Sequence, residues 1–185
     1  FNNPSAVTTD GTNLYVADYT NHKIRKIVIS TGVVTTLAGS SSGNTDGTGT
    51  FASFRNPKGI TTDGTNLYVS DTTNHRIRKI VISTGVVTTL AGSSNGSTDE
   101  TGTSASFKSP VGMTSDGTNL YVAEYGNNRI RKIVISTGVV TTLAGSSSGT
   151  ADGTGTSAQF SQPWGITTDG TNLYVADQGN HKIRK

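Results

Sequence analysis

The chain has 185 residues, of which 31% are hydrophobic and 15% charged, with a formal net charge of +3, 23 glycines and no cysteine. Disorder from low apolar content normally comes with high net charge, which is missing here, and the apolar set is mainly Val, Ile, Leu and Tyr, which favour strands. No run of about 18 apolar residues offers a transmembrane helix. Without cysteine there is no disulfide, thiolate nucleophile or thiolate metal site, which fits an extracellular or cell-surface location.

The chain repeats itself. Asp-Gly-Thr-Asn-Leu-Tyr-Val begins at Asp10, Asp63, Asp116 and Asp169, a period of 53 residues, and the stretch 24–41 recurs unchanged at 77–94 and 130–147. The repeats run 1–53, 54–106 and 107–159, with a partial fourth at 160–185. In chain order, each predicts four strands. The first covers 6–9, and Asp10-Gly11-Thr12 turns the chain, since Asp and Gly accept turn dihedrals. The second covers 13–17 and ends in a turn over 18–21. The third covers 22–30, Thr31-Gly32 turns again, and the fourth covers 33–38. A polar loop, 39–54, leads to the next repeat. Three tight hairpins and one long connection per repeat predict an all-β propeller of four-stranded antiparallel blades, about 3.5 of them in these residues, an incomplete ring. A β-solenoid lacks such hairpins.

The run Pro57-x-Gly59-Ile60, then Asn66-Leu67-Tyr68-Val69, then Asp71-x-x-Asn74-His75-Arg76-Ile77-Arg78-Lys79-Ile80 resembles the NHL repeat. The connecting Asp46-Gly47-x-Gly49-x-x-Ala52-x-Phe54 is similar to the linker of bacterial NHL proteins. Asn128 for His, Glu124 for Asp and Glu100 for Gly depart from the pattern. The resemblance implies a β-propeller, most often of six blades. An open ring predicts further blades of a longer chain, or self-association into a ring or filament through the exposed terminal blade faces.

Nearly all the charge is periodic. Every basic residue except Arg55, Lys58 and Lys108 lies at one of three positions of the third strand. An acidic residue precedes one of these arginines by seven positions in each repeat: Asp18 and Arg25, Asp71 and Arg78, Glu124 and Arg131, Asp177 and Arg184. A lattice of ion pairs explains this better than a basic patch does, which argues against nucleic acid, although some animal NHL proteins bind RNA. His22, His75 and His181 fall on separate blades and predict local hairpin contacts, not a zinc site. Asn44-Thr45-Asp46-Gly47 lacks the alternating carboxylates and distal Glu of a calcium loop. Related propellers include lyases and lactonase-like enzymes with metal sites, but no inward cluster of His or carboxylate is legible. The expectation is a non-catalytic scaffold or binding module with no cofactor and no metal.

Repeats differ from one another in two places. One is the second turn, which holds Tyr19 and Tyr125. The other is the run into the first strand, which holds Arg55, Lys108 and, just after Pro, Ser5, Lys58, Val111 and Trp164. In a meander these two regions share one face, and the start of the first strand is nearest the axis. These eight residues therefore form the candidate site, for a protein or carbohydrate ligand, with Trp164 as its anchor.

Overall fold

The computed structural model describes all of residues 1–185. It is all-β, with four antiparallel sheets in sequence. Blade 1 is β1 (Pro4–Thr9), β2 (Asn13–Asp18), β3 (Lys23–Val28) and β4 (Val34–Ala38). Blade 2 is β6 (Pro57–Thr62), β7 (Asn66–Asp71), β8 (Arg76–Val81) and β9 (Val86–Ala91), with β5 (Gly47–Thr48) of the linker added outside β9. Blade 3 is β10 (Pro110–Ser115), β11 (Asn119–Glu124), β12 (Arg129–Val134) and β13 (Val140–Ala144). Blade 4 holds β14 (Pro163–Thr168), β15 (Leu173–Asp177) and β16 (Lys182–Arg184). The inner strands β1, β6, β10 and β14 pack side by side in that order.

Local chemistry sets these elements. In the first hairpin the Asp10 carboxylate accepts the Thr12 and Asn13 amides at 2.9 and 2.7 Å. It also accepts the Tyr15 hydroxyl at 2.7 Å. The carboxylate thereby ties the turn to the strand that follows it. The turn between the second and third strands is a single 3-10 turn, Tyr19–Asn21 in blade 1, closed by His22 in the left-handed region at φ 58°. The third strand therefore starts one residue later than the sequence pattern suggests, because His22 is the turn's last residue.

The apolar period of two gives each blade two faces. Tyr15, Ala17 and Ile24 of blade 1 pack against Ile60, Leu67 and Ile80 of blade 2, with Phe54 wedged between the sheets. Tyr68 and Ile77 repeat this against Leu120 and Ile133, with Phe107 as the wedge. The wedge forces the glycine that ends the fourth strand. Gly92 has φ +88°, and a Cβ there would lie 2.5 Å from the His75 carbonyl oxygen and 2.7 Å from the Phe107 ring.

The linker is not only a polar loop. Gly47 and Thr48 pair with Val87 and Val86, so the linker leaving blade 1 becomes the outer strand of blade 2. Asp46 then reaches inward to Arg78 at 2.7 Å and accepts the Thr89 amide at 3.1 Å. Each linker clasps the blade it leads into.

Candidate functional site

The sequence-predicted ion pairs form, and in blades 2, 3 and 4 each is half of a larger device. Arg78 and Asp71 are both fully buried and meet at 2.8 Å. Arg78 also donates to the backbone oxygens of Ser53 and Thr45, and its guanidinium lies 5.1 Å from the Phe54 ring centroid. Arg131 repeats this with Glu124 at 3.0 Å and Asp99 at 2.6 Å. Burial pushes the Asp71 carboxyl upward, against donors on Asn74, the Arg55 amide and Arg78. These charges lie inside the blades and hold linker to sheet, so they present no basic patch to a ligand. The linker Asp46 and Asp99 are likewise engaged with arginine and not arranged as a cation loop.

The backbone amides of His22, His75 and His181 bond within their own turns, as the sequence reading expects, but two of the side chains reach further. His22 Nδ1 accepts the amide of Asn56 in the next blade at 3.1 Å, and His75 Nδ1 accepts that of Ser109 at 3.2 Å. Asn128 does the same for Gln162 with its side-chain oxygen at 2.8 Å, which is why Asn can stand at that place. No three His, Cys, Asp or Glu side chains converge anywhere in the chain.

The face that varies between repeats is assembled at the inner strands. In every blade the ladder slips between the Pro and the residue two or three further on: Pro4/Ala6, Pro57/Ile60, Pro110/Met113 and Pro163/Ile166. The bulge falls on Ser5, Lys58, Val111 and Trp164, and a bulge re-aims the side chain it carries. The four residues line a cavity of about 320 Å³ with Gly59, Gly112 and Met113. Seams between blades fix its rim. Ser5 Oγ donates to the Lys58 carbonyl oxygen at 2.8 Å, and Ser70 Oγ donates to that of Val111 at 2.6 Å.

Lys58 crosses the mouth of this cavity. Its Nζ sits 4.5 Å from the Trp164 ring centroid and 5.5 Å from that of Tyr19. Trp164 is 41% exposed, and Tyr125 meets it edge-on at 5.7 Å. Burial holds the Lys58 ammonium below the ordinary lysine value, and no carboxylate in the chain pairs with it. Ammonium and two aromatic faces thus gather where repeats differ.

Not every expected residue contributes a side chain. Val111 is buried, within the cluster of Ala123, Ile130 and Phe160, because its side chain alone of the four is aliphatic and the core beneath takes it. Arg55 and Lys108 are exposed outside the aromatic group. The sequence reading missed the seam serine, Ser70, and Thr72, whose hydroxyl donates to the Pro110 carbonyl oxygen at 2.7 Å. Their departure from the Ala17 and Tyr19 of the first repeat was the available signal.

No family model matches the chain. NHL repeat-containing protein 2 of Homo sapiens is 32% identical across 100% of this chain and 31% of its own length. Its Gallus gallus counterpart is 34% identical across 58% of this chain and 15% of its own length. The chain thus spans less than a third of the length of these curated relatives. Among solved structures, a protein of unknown function from Bacteroides thetaiotaomicron superposes with TM-score 0.79 at 27% identity, covering 97% of this chain and 46% of that one. An auxiliary nutrient binding protein from the same organism superposes at 0.74 and 19% identity, covering 92% and 44%. A streptogramin B lyase superposes at 0.67 and 17% identity, covering 97% and 50%. With antiparallel blades in succession, an Asn-His turn (Asn-Asn in blade 3) closing each seam and relatives that carry the same repeat, the chain belongs to the NHL-repeat β-propellers.

Proposed function

We propose that the chain is a non-catalytic binding module, and that the face bearing Tyr19, Lys58, Tyr125 and Trp164 takes a protein or carbohydrate ligand at an extracellular or cell surface. One observation carries this reading. The only lysine between two aromatic rings, unpaired with any carboxylate, stands on the bulge where the repeats diverge. Elsewhere most side chains that could do chemistry are committed to the fold: carboxylates other than Glu100 to arginines and turns, and His22 and His75 to seams.

The chain's one tryptophan is Trp164, so its fluorescence reports this face alone. Titration with neutral and acidic oligosaccharides, and with surface proteins of the source cell, is expected to shift its emission for at least one ligand. Lys58→Ala is expected to weaken that binding about tenfold, since a partly desolvated cation–π arrangement is worth on the order of 1–2 kcal/mol. Retention of every interaction by the Lys58→Ala, Trp164→Ala double variant refutes the proposal. Stoichiometric bound metal together with turnover of a substrate would replace it with the lyase or lactonase-type reading.

A further inference from the structure

The cations of the chain divide by position. All but Arg55, Lys58 and Lys108 recur at the third-strand places, where one arginine per blade is paired with a carboxylate. The other three sit at the entry to β6 or β10, in blades 2 and 3, each of which has a blade packed on either side. Arg55 and Lys108 hold the same place one period apart. Every salt bridge in the chain belongs to a third-strand arginine, so these three cations have none.

The face they share has no carboxylate to spare. Asp18, Asp71, Glu124 and Asp177 end the second strands on this side, but all four are buried. Each accepts both an arginine and a backbone amide. The hairpin aspartates lie at the other end of the strands, and the linker aspartates are held by arginine. Glu100 belongs to the linker beside β13, the outer strand of blade 3. Lys58 is the inner cation, with its Nζ 4.5 Å from the Trp164 ring centroid and 5.5 Å from that of Tyr19. Ring faces attract an ammonium but carry no net charge. Burial alone lowers the Lys58 pKa, and a carboxylate brought beside it would offset that cost.

From this we infer that the face takes an acidic oligosaccharide, a short chain of uronate units, which deepens the binding-module reading and rests on it. One carboxylate pairs with Lys58, and the C–H face of a pyranose covers the edge-on pair of Tyr125 and Trp164. Further carboxylates along the chain meet Arg55 and Lys108, whose spacing by one blade suits a ligand with repeating charge. Backbone geometry disfavours an acidic peptide. Strand addition needs an open strand edge, and the inner strands here abut. A Cβ on Gly59 would collide with the Val111 carbonyl oxygen, and one on Gly112 with that of Trp164. The cavity of about 320 Å³ is at the small end of ligand sites and suits a sugar ring better than an extended chain.

Trp164 fluorescence under titration with trigalacturonate, its fully methyl-esterified form, polyglutamate and oligothymidylate tests this. Trigalacturonate is expected to shift the emission, and esterification, which removes the charge and keeps the rings, to weaken binding about tenfold or more. Lys58→Ala is expected to weaken trigalacturonate binding about tenfold. The double variant Arg55→Ala, Lys108→Ala, at exposed positions, is expected to weaken it about threefold or more and to reduce its salt dependence. That variant and the esterified ligand carry the test if circular dichroism shows Lys58→Ala misfolded. Equal binding of the two saccharides overturns the acidic ligand and leaves a carbohydrate site. A response to polyglutamate or oligothymidylate but not to trigalacturonate overturns the inference, as does trigalacturonate binding that neither variant weakens. Emission that none of the four probes moves overturns it too. The underlying reading fails separately, when the Lys58→Ala, Trp164→Ala variant keeps every interaction of the parent chain.

Discussion

Replacing Arg78 by Met tests whether the buried arginines hold linker to blade. Arg78 is fully buried and donates to Asp71 at 2.8 Å, Asp46 at 2.7 Å, the Ser53 carbonyl oxygen at 3.0 Å and the Thr45 carbonyl oxygen at 2.9 Å. Met fills much of the volume but removes the cation. Asp71 then keeps donors only on the Arg55 amide and Asn74, with its charge uncompensated in the interior. Breaking such a pair from one side costs about 3–5 kcal/mol, a large share of the roughly 5–15 kcal/mol by which domains are stable. Asp46→Asn removes the charge of the half-exposed partner of the same guanidinium, where solvent screening leaves about 0.5 kcal/mol. The double variant Arg78→Met, Asp71→Leu removes both charges and is expected to recover most of the loss. Urea denaturation followed by far-ultraviolet circular dichroism gives each difference from the midpoint and slope. A loss below about 1 kcal/mol for Arg78→Met, or a double variant no better than the single one, would refute the account.

Other outcomes follow from the same geometry. Gly92→Ala is expected to cost about 1–3 kcal/mol, because φ +88° is strained for Ala and the new methyl meets the His75 carbonyl and the Phe107 ring; Gly64→Ala, also at φ +88° but open to solvent, separates the strain from the clash when both are measured by urea denaturation. Burial and then the Lys108 charge lower the His75 pKa, so its neutral form stabilises the fold. That contribution is complete above the unfolded value of about 6.5 and is lost as pH falls below it. His75→Asn, which installs the side chain that Asn128 carries at the same place in blade 3, is expected to keep the seam bond and flatten the pH dependence over that range, which paired denaturation series would show. Tyr68→Phe removes the hydroxyl that donates to Asp63 at 2.7 Å and is expected to cost about 1 kcal/mol. In the equivalent turn of blade 3, burial raises the Asp116 pKa but four hydrogen bonds bring it down to about 2. That turn's stability is present above the ordinary value of about 3.9 and decays as pH falls toward 2, which amide exchange at Thr118 and Asn119 would follow.

Much of the architecture was legible in the residues because a strand's side chains alternate and its turns are local. Asp10-Gly11-Thr12 marks its hairpin, and Leu14, Val16 and Tyr15, Ala17 sort themselves onto opposite faces without reference to anything distant. The seven-residue step from Asp71 to Arg78 was readable for the same reason, as it spans one turn and two paired strands. The convergence of Ser5, Lys58 and Trp164 was readable too, since the repeat places equivalent positions at equivalent radii.

What lay beyond the sequence depends on contacts between blades. Nothing local announces that Asp46 meets Arg78 from 32 positions away, or that Gly47 and Thr48 become a strand on the outer edge of β9. Nor does the Asn-His motif reveal that His22 serves Asn56, 34 positions on. Val111 lines the cavity yet packs in a core cluster, since only the packed core decides which way an aliphatic residue on a bulge turns. The period of 53 residues determined the blades, their number here and the position of the variable face. The tertiary structure alone decided how blades are clasped and which variable residues meet as Lys58 and Trp164 do. Local pattern encodes strands, but a seam exists only once two sheets are brought into register.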